Sequence, residues 1–176
     1  TLLKPTPFQD ADRVATTKAF AQQHGLKSMD DLKKLPSFTY LGPPENATRF
    51  QGVVGMKQAY GLNNLQFVPL TIGSQYQAID AGKADSIAVF TTDPQLLGGK
   101  YAVLTDPKGI FGYQQVAPVV SNKLLTAEGP AFQQILNAVT AKLTTPAIQQ
   151  MNLAVAVNQQ NPATVASQFL AANGLK

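Results

Sequence analysis

The sequence of 176 residues contains no cysteine and a single histidine, and only 14% of its residues are charged. The absence of cysteine excludes disulfide bonds, thiol nucleophiles and cysteine-based metal sites. His24 stands directly before Gly25, which is typical of a helix end and gives no sign of a catalytic centre. No apolar run approaches the length of a membrane span, and the first four residues do not resemble a signal peptide. Any targeting segment is therefore expected to lie outside these residues.

Two further absences concern nucleic acid and catalysis. The net charge is +4, but the basic residues are scattered, and the adjacent pair Lys33-Lys34 lies beside Asp30-Asp31. Nucleic-acid-binding surfaces normally carry clustered cations, so we predict no nucleic-acid partner. The chain also has no zinc-protease, serine-hydrolase or phosphate-loop motif. We predict that it is not an enzyme and holds no metal and no cofactor; an enzyme on the same fold is a weaker alternative, because no residue stands out as a nucleophile.

Apolar runs alternate with helical patterns over the first two thirds of the chain, which predicts an α/β fold with a mixed sheet flanked by helices. The predicted strands cover residues 14–17, 38–41, 65–70, 86–90 and 101–104. The helices predicted among these strands cover residues 18–24, 48–60 and 74–81, and a short one precedes Pro36. The pattern then changes to a strand at 117–120 and helices at 130–143, 146–155 and 162–172. We place a domain boundary near residues 113–117.

Glu45 and Arg49 follow a predicted strand end at Gly42-Pro43-Pro44. Their spacing of four residues fits an exposed ion pair on a helix, which is the simpler interpretation on spacing alone. In the alternative interpretation, Arg49 offers its planar fork to the carboxylate of a ligand, and Glu45 orients the guanidinium. Either interpretation is compatible with this segment taken alone.

The order of several short motifs along nearly the whole chain resembles one family. It is similar to the substrate-binding proteins of ABC importers for glycine betaine, choline and carnitine. The motifs are Pro5–Phe8, Glu45 with Arg49, Phe90–Asp93, Tyr113, and Ala117–Val120.

This resemblance implies a type II periplasmic-binding-protein-like fold and a solute-binding protein that captures a small quaternary-ammonium or zwitterionic solute. The family holds a quaternary ammonium among tyrosine rings, whose faces attract cations. Tyr113 matches that pattern, whereas Asp12 and Phe90 stand where the family has tyrosines. We therefore expect a zwitterion other than glycine betaine, unless Asp12 lies outside the site and the local match is shifted by one residue. The implied ligand-binding residues are Arg49, Glu45, Phe90, Tyr113, Asp12 and Thr92.

The resemblance also implies how the chain is organised. Residues 1–113 correspond to the family's second lobe, residues 114–176 to the returning strand and helices of its first lobe, and the N-terminal half of the first lobe is not represented. The implied partner is an ABC permease, and the implied location is periplasmic or extracellular, with attachment to the membrane through a lipid anchor or the permease. A stripe of apolar residues needs a packing partner, which points to a dimer or a swapped assembly through the helices of residues 124–172. The stripe consists of Phe132, Ile135, Leu136, Val139 and Leu143. An alternative is an isolated or fragmentary α/β domain that acts through assembly with another chain and has no ligand of its own.

Overall fold

The computed structural model describes residues 1–175, which form two compact units. The first, here called the sheet unit, contains residues 11–91 and 98–112. The second, the helical unit, contains residues 1–10 and 92–97 together with the chain from Tyr113 onward. Residues 1–10 thus join the C-terminal part of the chain. The predicted division into lobes of residues 1–113 and 114–176 stays a prediction about the family's two-lobed architecture.

The sheet unit is built on five strands: β1 (Asp12–Thr17), β2 (Phe38–Gly42), β3 (Leu65–Pro69), β4 (Ser86–Phe90) and β5 (Tyr101–Val103). They lie side by side in the order β3-β2-β4-β1-β5. Strands β3, β2 and β4 run parallel, while β1 runs antiparallel to both β4 and β5. A mixed sheet of this kind, with helices between strands, is the α/β arrangement that the sequence predicts.

Local signals in the sequence set the ends of the connecting helices. Helix α1 (Lys18–His24) begins after Thr17, whose hydroxyl oxygen accepts a hydrogen bond from the Phe20 N–H at 3.2 Å, and it ends at Gly25 with φ 64°. A 3₁₀ helix (Met29–Lys34) follows, with a capping box in which the Asp31 carboxylate accepts from the Ser28 N–H at 2.8 Å. Helix α3 (Gln75–Asp80) precedes β4. These elements confirm the helices predicted at 18–24 and 74–81 and the short one before Pro36.

The apolar core of the sheet unit lies between the sheet and the segments that follow β1 and β2. Its fully buried large side chains include two tyrosines as well as aliphatic residues. Burying a large apolar side chain contributes about 1.5–3 kcal/mol, so this cluster is the main source of stability in the unit. Its members include Val14, Met29, Leu32, Phe38, Tyr40, Met56, Tyr60, Leu62, Leu104 and Phe111.

The single helix predicted over residues 48–60 is wrong. A 3₁₀ turn (Pro44–Ala47) is followed by an irregular turn (Phe50–Val54), and only Gly55–Gln58 forms helix α2. Gly52 has φ −142° and ψ −137°, which are not helical values. Its backbone packs so closely on the carbonyl of Asn46 that the chain cannot continue as one regular helix here.

The helical unit contains α4 (Asn122–Lys142), α5 (Thr145–Asn152) and α6 (Pro162–Ala172). Helix α4 is interrupted at Gly129, which lies directly before Pro130 and has a φ of 74°. The helix begins eight residues before the predicted start at 130. The change to helical structure in the last third of the chain confirms the predicted pattern. No helix among residues 1–175 combines the length and the apolar character needed to cross a membrane.

The predicted strand at 117–120 is also wrong. Residues 1–9 and 115–120 run antiparallel, but they form only the isolated bridges Leu2↔Val119 and Gln9↔Gln115. The Leu3 N–H donates to the Pro118 carbonyl at 2.9 Å, yet Pro118 has no N–H to donate in return. A continuous ladder therefore does not develop.

Three tyrosines of the sheet unit predict a loss of stability at alkaline pH. Burial raises the pKa of Tyr101 to about 12, helped by its hydrogen bond to Asp80, and burial also raises the pKa values of Tyr40 and Tyr60. An ordinary tyrosine has a pKa of about 10. Because the folded-state pKa values are higher, the stabilisation is fully present below pH 10 and is lost as the pH rises towards 12.

We therefore expect the urea midpoint, followed by circular dichroism, to fall progressively from about pH 10 upward. Tyr101→Phe should remove part of this slope without removing the slope due to Tyr40 and Tyr60. A midpoint that does not change over this interval would show that these hydroxyl groups titrate normally.

Candidate functional site

Four of the six predicted ligand-binding residues lie at the carboxyl ends of the parallel strands, here called the carboxyl edge of the sheet. Strands β2 and β4 both end at this edge, at Gly42 and Phe90. Since β1 runs in the opposite direction, its first residue, Asp12, lies at the same edge and pairs with Phe90. Glu45 and Arg49 lie on the segment that leaves β2 there. In open α/β sheets, ligands bind outside the carboxyl ends of the parallel strands, which is where these residues are found.

The segment from Pro43 to Val54, here called the β2 loop, carries Glu45 and Arg49 on its exposed side. The Thr48 and Arg49 N–H groups both donate to the Glu45 carbonyl at 3.2 Å. Arg49 itself has an extended backbone, with φ −80° and ψ 146°. Among the described residues, the ion pairs do not include Glu45 with Arg49. The two side chains are therefore not spaced along a regular helix, and Arg49 is available to an anion from outside.

Glycines allow the β2 loop to fold tightly on itself. A Cβ atom at Gly52 would lie 2.3 Å from the Asn46 carbonyl oxygen, and one at Gly55 would lie 2.1 Å from the Phe50 carbonyl oxygen. Both are backbone atoms, which cannot swing away as a side chain would. Only glycine fits at Gly52 within the loop and at Gly55, the first residue of α2, so these two glycines determine the path of the chain here.

Asn46 connects the β2 loop to the sheet. Its side-chain amide donates to the Tyr40 hydroxyl oxygen at 3.1 Å, and both side chains are buried. Burial raises the pKa of Tyr40 above its ordinary value, and the negative charge of Asp12 adds to the rise. Tyr40 therefore stays neutral at physiological pH. Sequence reasoning missed Asn46 and Tyr40; their only signal was a polar residue between Glu45 and Arg49 and a tyrosine in an otherwise apolar strand.

Asp12 and Phe90 are both half-buried. The Arg13 guanidinium donates to the Asp12 carbonyl oxygen at 2.7 Å and lies 5.8 Å from the centre of the Phe111 ring. The sequence contains only two arginines, and Arg13 is held by these contacts. Arg49, the other arginine, is exposed on the β2 loop.

The other two predicted residues, Thr92 and Tyr113, belong to the helical unit. Thr92 is buried, and its hydroxyl donates to the Asp10 carboxylate, while its carbonyl accepts from the Asn152 side-chain amide at 3.0 Å. Tyr113 is 92% exposed. Thr92 thus has a structural role within its own unit, and Tyr113 presents nearly its whole ring.

No group of three or more histidine, aspartate or glutamate side chains within the described part of the chain is placed to hold a metal ion.

A mixed sheet with an exposed arginine, two carboxylates and an aromatic ring at its carboxyl edge defines an α/β domain suited to binding a small charged molecule. Comparison with known proteins gives the family. The chain belongs to the OpuAC family, the substrate-binding domain of ABC-type glycine betaine transport systems, whose model matches residues 1–172. The predicted resemblance is thereby confirmed. This is a family of transport binding domains, in agreement with the prediction that the chain is not an enzyme.

Individual relatives agree with this assignment. The chain is 30% identical to a glycine-betaine-binding protein of Pseudomonas aeruginosa, over 96% of this chain and 58% of the relative. It is 27% identical to the glycine betaine-binding protein YehZ of Escherichia coli, over 98% of this chain and 60% of the relative. It is also 27% identical to the ergothioneine transport permease/ergothioneine binding protein EgtU of Helicobacter pylori, over 96% of this chain and 30% of that protein. The chain thus spans about 60% or less of the length of these relatives.

A solved structure described as a glycine betaine/carnitine/choline ABC transporter superposes with a TM-score of 0.88 at 26% identity. The alignment covers 99% of this chain and 64% of that structure. The lactococcal OpuAC in complex with glycine betaine has a TM-score of 0.65 at 20% identity, covers 98% of this chain and 67% of that one, and supports the fold alone. The predicted fold class, that of type II periplasmic binding proteins, is confirmed.

Proposed function

We propose that this chain forms part of the solute-binding component of an ABC importer and contributes to the capture of a small zwitterion bearing a carboxylate and a cationic head. The observation that carries the proposal is the exposed Arg49 on the β2 loop, at the same sheet edge as Asp12 and Phe90. The relatives named above, which include a glycine-betaine-binding protein and an ergothioneine-binding protein, support a ligand of this class.

Each proposed contact follows from the chemistry of the side chain. Arg49 binds the solute carboxylate through two parallel hydrogen bonds, and Glu45, exposed on the same loop, is a second proposed contact of the solute. The Phe90 ring face attracts the cationic head, and the Asp12 carboxylate adds a negative charge that attracts the same cation. The proposed ligand-binding residues of the helical unit are Tyr113, which offers an exposed aromatic ring, and Thr92, whose hydroxyl is already bonded to Asp10. The solute is released to an ABC permease, which is the proposed partner.

The proposed place of action is outside the cytoplasmic membrane, in the periplasm or at the cell surface. Attachment there would come from a lipid anchor or from the permease. We also propose a dimer or a swapped assembly through the helices of residues 124–172. Ile135 on α4 is 61% exposed, and an exposed apolar side chain of this size favours a packing partner.

The second candidate is a domain that acts through assembly without its own ligand. Exposed apolar side chains of the helical unit favour it, since Leu2 is 69% exposed and its bridge partner Val119 is 80% exposed. Light scattering, which measures the oligomeric state, and the solute titration described next test this candidate together. A monomer that binds a solute would contradict it, whereas a stable dimer that binds none would support it.

A solute titration followed by NMR tests the first candidate. The two arginines give two side-chain Nε–H signals, so Arg13 serves as an internal control for Arg49. We expect glycine betaine and carnitine, at millimolar concentration, to shift the Arg49 signal and leave the Arg13 signal in place. Choline, which lacks a carboxylate, should not shift the Arg49 signal. Affinity in this chain alone should be weak, because contacts that need the rest of a longer protein are not made. Equal shifts of both arginines, or none with any of the three solutes, would contradict the proposal.

A further inference from the structure

Seven consecutive residues of the β2 loop, from Pro44 to Phe50, contain one buried member. The other six are exposed, whereas Asn46 has only 2% of its surface exposed. It lies directly after Glu45 and three residues before Arg49. A buried polar side chain within an exposed turn calls for an explanation, since burying an amide is unfavourable unless it is hydrogen-bonded.

Asn46 is held from three directions. Tyr40 of β2, which is 1% exposed, accepts the hydrogen bond from its side-chain amide. A Cβ atom at Gly42 would lie 3.0 Å from the Asn46 Nδ2 atom, so the end of β2 packs closely against the same amide. On the other side, Gly52 packs on the Asn46 backbone. The hydrogen bond to Tyr40 and the packing of Gly42 therefore fix the side chain against strand β2.

Backbone hydrogen bonds connect the turn around Asn46 to Glu45 and Arg49, the two residues of this loop that the proposed function uses. The Asn46 N–H donates to the Pro43 carbonyl at 2.9 Å, which fixes the start of the turn. The Arg49 N–H donates to the Glu45 carbonyl at 3.2 Å, and the Gly52 N–H donates to the Arg49 carbonyl at 3.1 Å. The backbone of Arg49 is thus bonded on one side to the residue before Asn46 and on the other to the glycine that rests on Asn46.

Resting on the proposed function, we infer that Asn46 is a positioning residue for the solute site. Its buried hydrogen bond to Tyr40 anchors the β2 loop to the sheet, so that Arg49 meets the solute carboxylate in one preset orientation. Tyr40 and Asn46 do not themselves touch the solute. A long arginine side chain on a loop otherwise loses conformational freedom on binding, and a fixed backbone reduces that loss.

Amide hydrogen exchange in the full chain tests this inference without a ligand. Asn46→Ala removes the bond, and the exchange rates of the Arg49 and Gly52 amides, relative to those of strand β4, are expected to rise about tenfold. Tyr40→Phe removes the other end of the same bond and should give the same pattern, which provides a second variant if the first folds poorly.

Asn64→Ala is the matched control. The Asn64 side chain donates to the Leu32 and Leu35 carbonyls at 2.9 and 2.8 Å, in the same unit but away from the β2 loop. This substitution should speed exchange only in proportion to the overall loss of stability. If Asn46→Ala speeds exchange in β4 as much as at Arg49 and Gly52, the residue serves general stability alone and the inference is overturned.

Glycine betaine and choline serve as probes in the second arm. The affinity for glycine betaine, read from the Arg49 Nε–H signal, should fall about tenfold in Asn46→Ala, whereas Asn64→Ala should leave it unchanged. Any weak binding of choline, followed by backbone shifts, should not change. An unaltered affinity for glycine betaine would overturn the inference. Absence of any solute response in the parent chain would contradict the proposed function, while the exchange experiment would still decide whether Asn46 positions Arg49.

Discussion

Replacing Gly52 by alanine is expected to lower the free energy of unfolding of the sheet unit by about 3 kcal/mol. The added methyl group would lie 2.3 Å from the Asn46 carbonyl oxygen, far inside van der Waals contact, and this oxygen is a backbone atom that cannot swing away. The β2 loop must therefore shift away from the sheet. Urea unfolding of the chain, followed by circular dichroism, measures the loss.

Gly98→Ala provides the matched control for this prediction. Gly98 lies in the same unit, a Cβ atom there would meet nothing within 4 Å, and its φ is not positive. This substitution should be neutral or should stabilise slightly, because alanine restricts the unfolded chain more than glycine does. Equal urea midpoints for the two variants would show that the β2 loop tolerates the methyl group and that its tight packing on Asn46 is not required.

Arg49→Ala should weaken the binding of glycine betaine by about tenfold to a hundredfold and leave the thermal stability nearly unchanged. A charge-assisted hydrogen bond contributes about 1.5–3 kcal/mol, and Arg49 offers two in parallel. The side chain is exposed and is absent from the ion pairs of the described residues, so its loss removes little from the folded state. Thermal unfolding monitors stability, and NMR titration of backbone amides around the β2 loop measures binding.

Two further variants define what Arg49 contributes. Arg49→Lys keeps the charge but loses the planar fork, so its affinity should fall between those of the parent and Arg49→Ala. Lys57→Ala removes an exposed charge from α2 and should change neither binding nor stability. If Lys57→Ala weakens binding as much as Arg49→Ala does, the effect arises from the general positive charge of the domain and not from a specific clamp.

Strands and simple helices were predictable because their signals are local. The strand at Ser86–Phe90 agrees residue for residue with its continuous apolar run, and α6 agrees equally well with a segment that begins at Pro162. The site was predictable only in part. Arg49 and Glu45 stood out as charged residues after a strand end, but the sequence alone did not distinguish a helical surface pair from a ligand clamp.

What the sequence could not reveal depends on specific contacts that neither local propensity nor hydrophobic periodicity encodes. The apolar pattern of residues 48–60 favours a helix, and the close approach of Gly52 to Asn46 and of Gly55 to Phe50 overrides it. The hydrogen bond between Tyr40 and Asn46 joins a strand to a loop, and neither residue type indicates such a bond in the sequence. Likewise, residues 117–120 have strand propensity, but Pro118 cannot donate a backbone hydrogen bond, so pairing with residues 1–9 gives only isolated bridges.

The chain passes between the two units four times, at residues 10–11, 91–92, 97–98 and 112–113. This threading has a consequence for the order of folding. The Val116 N–H donates to the Thr6 hydroxyl oxygen across 110 positions of sequence, so closing that contact from an open chain carries an entropic cost. Once residues 11–112 have folded around the core of the sheet unit, the segments that enter and leave this unit are already near each other. The terminal segments can then pair quickly. On a ribosome or a translocon, the sheet unit therefore has all its residues available while much of the helical unit is still being delivered.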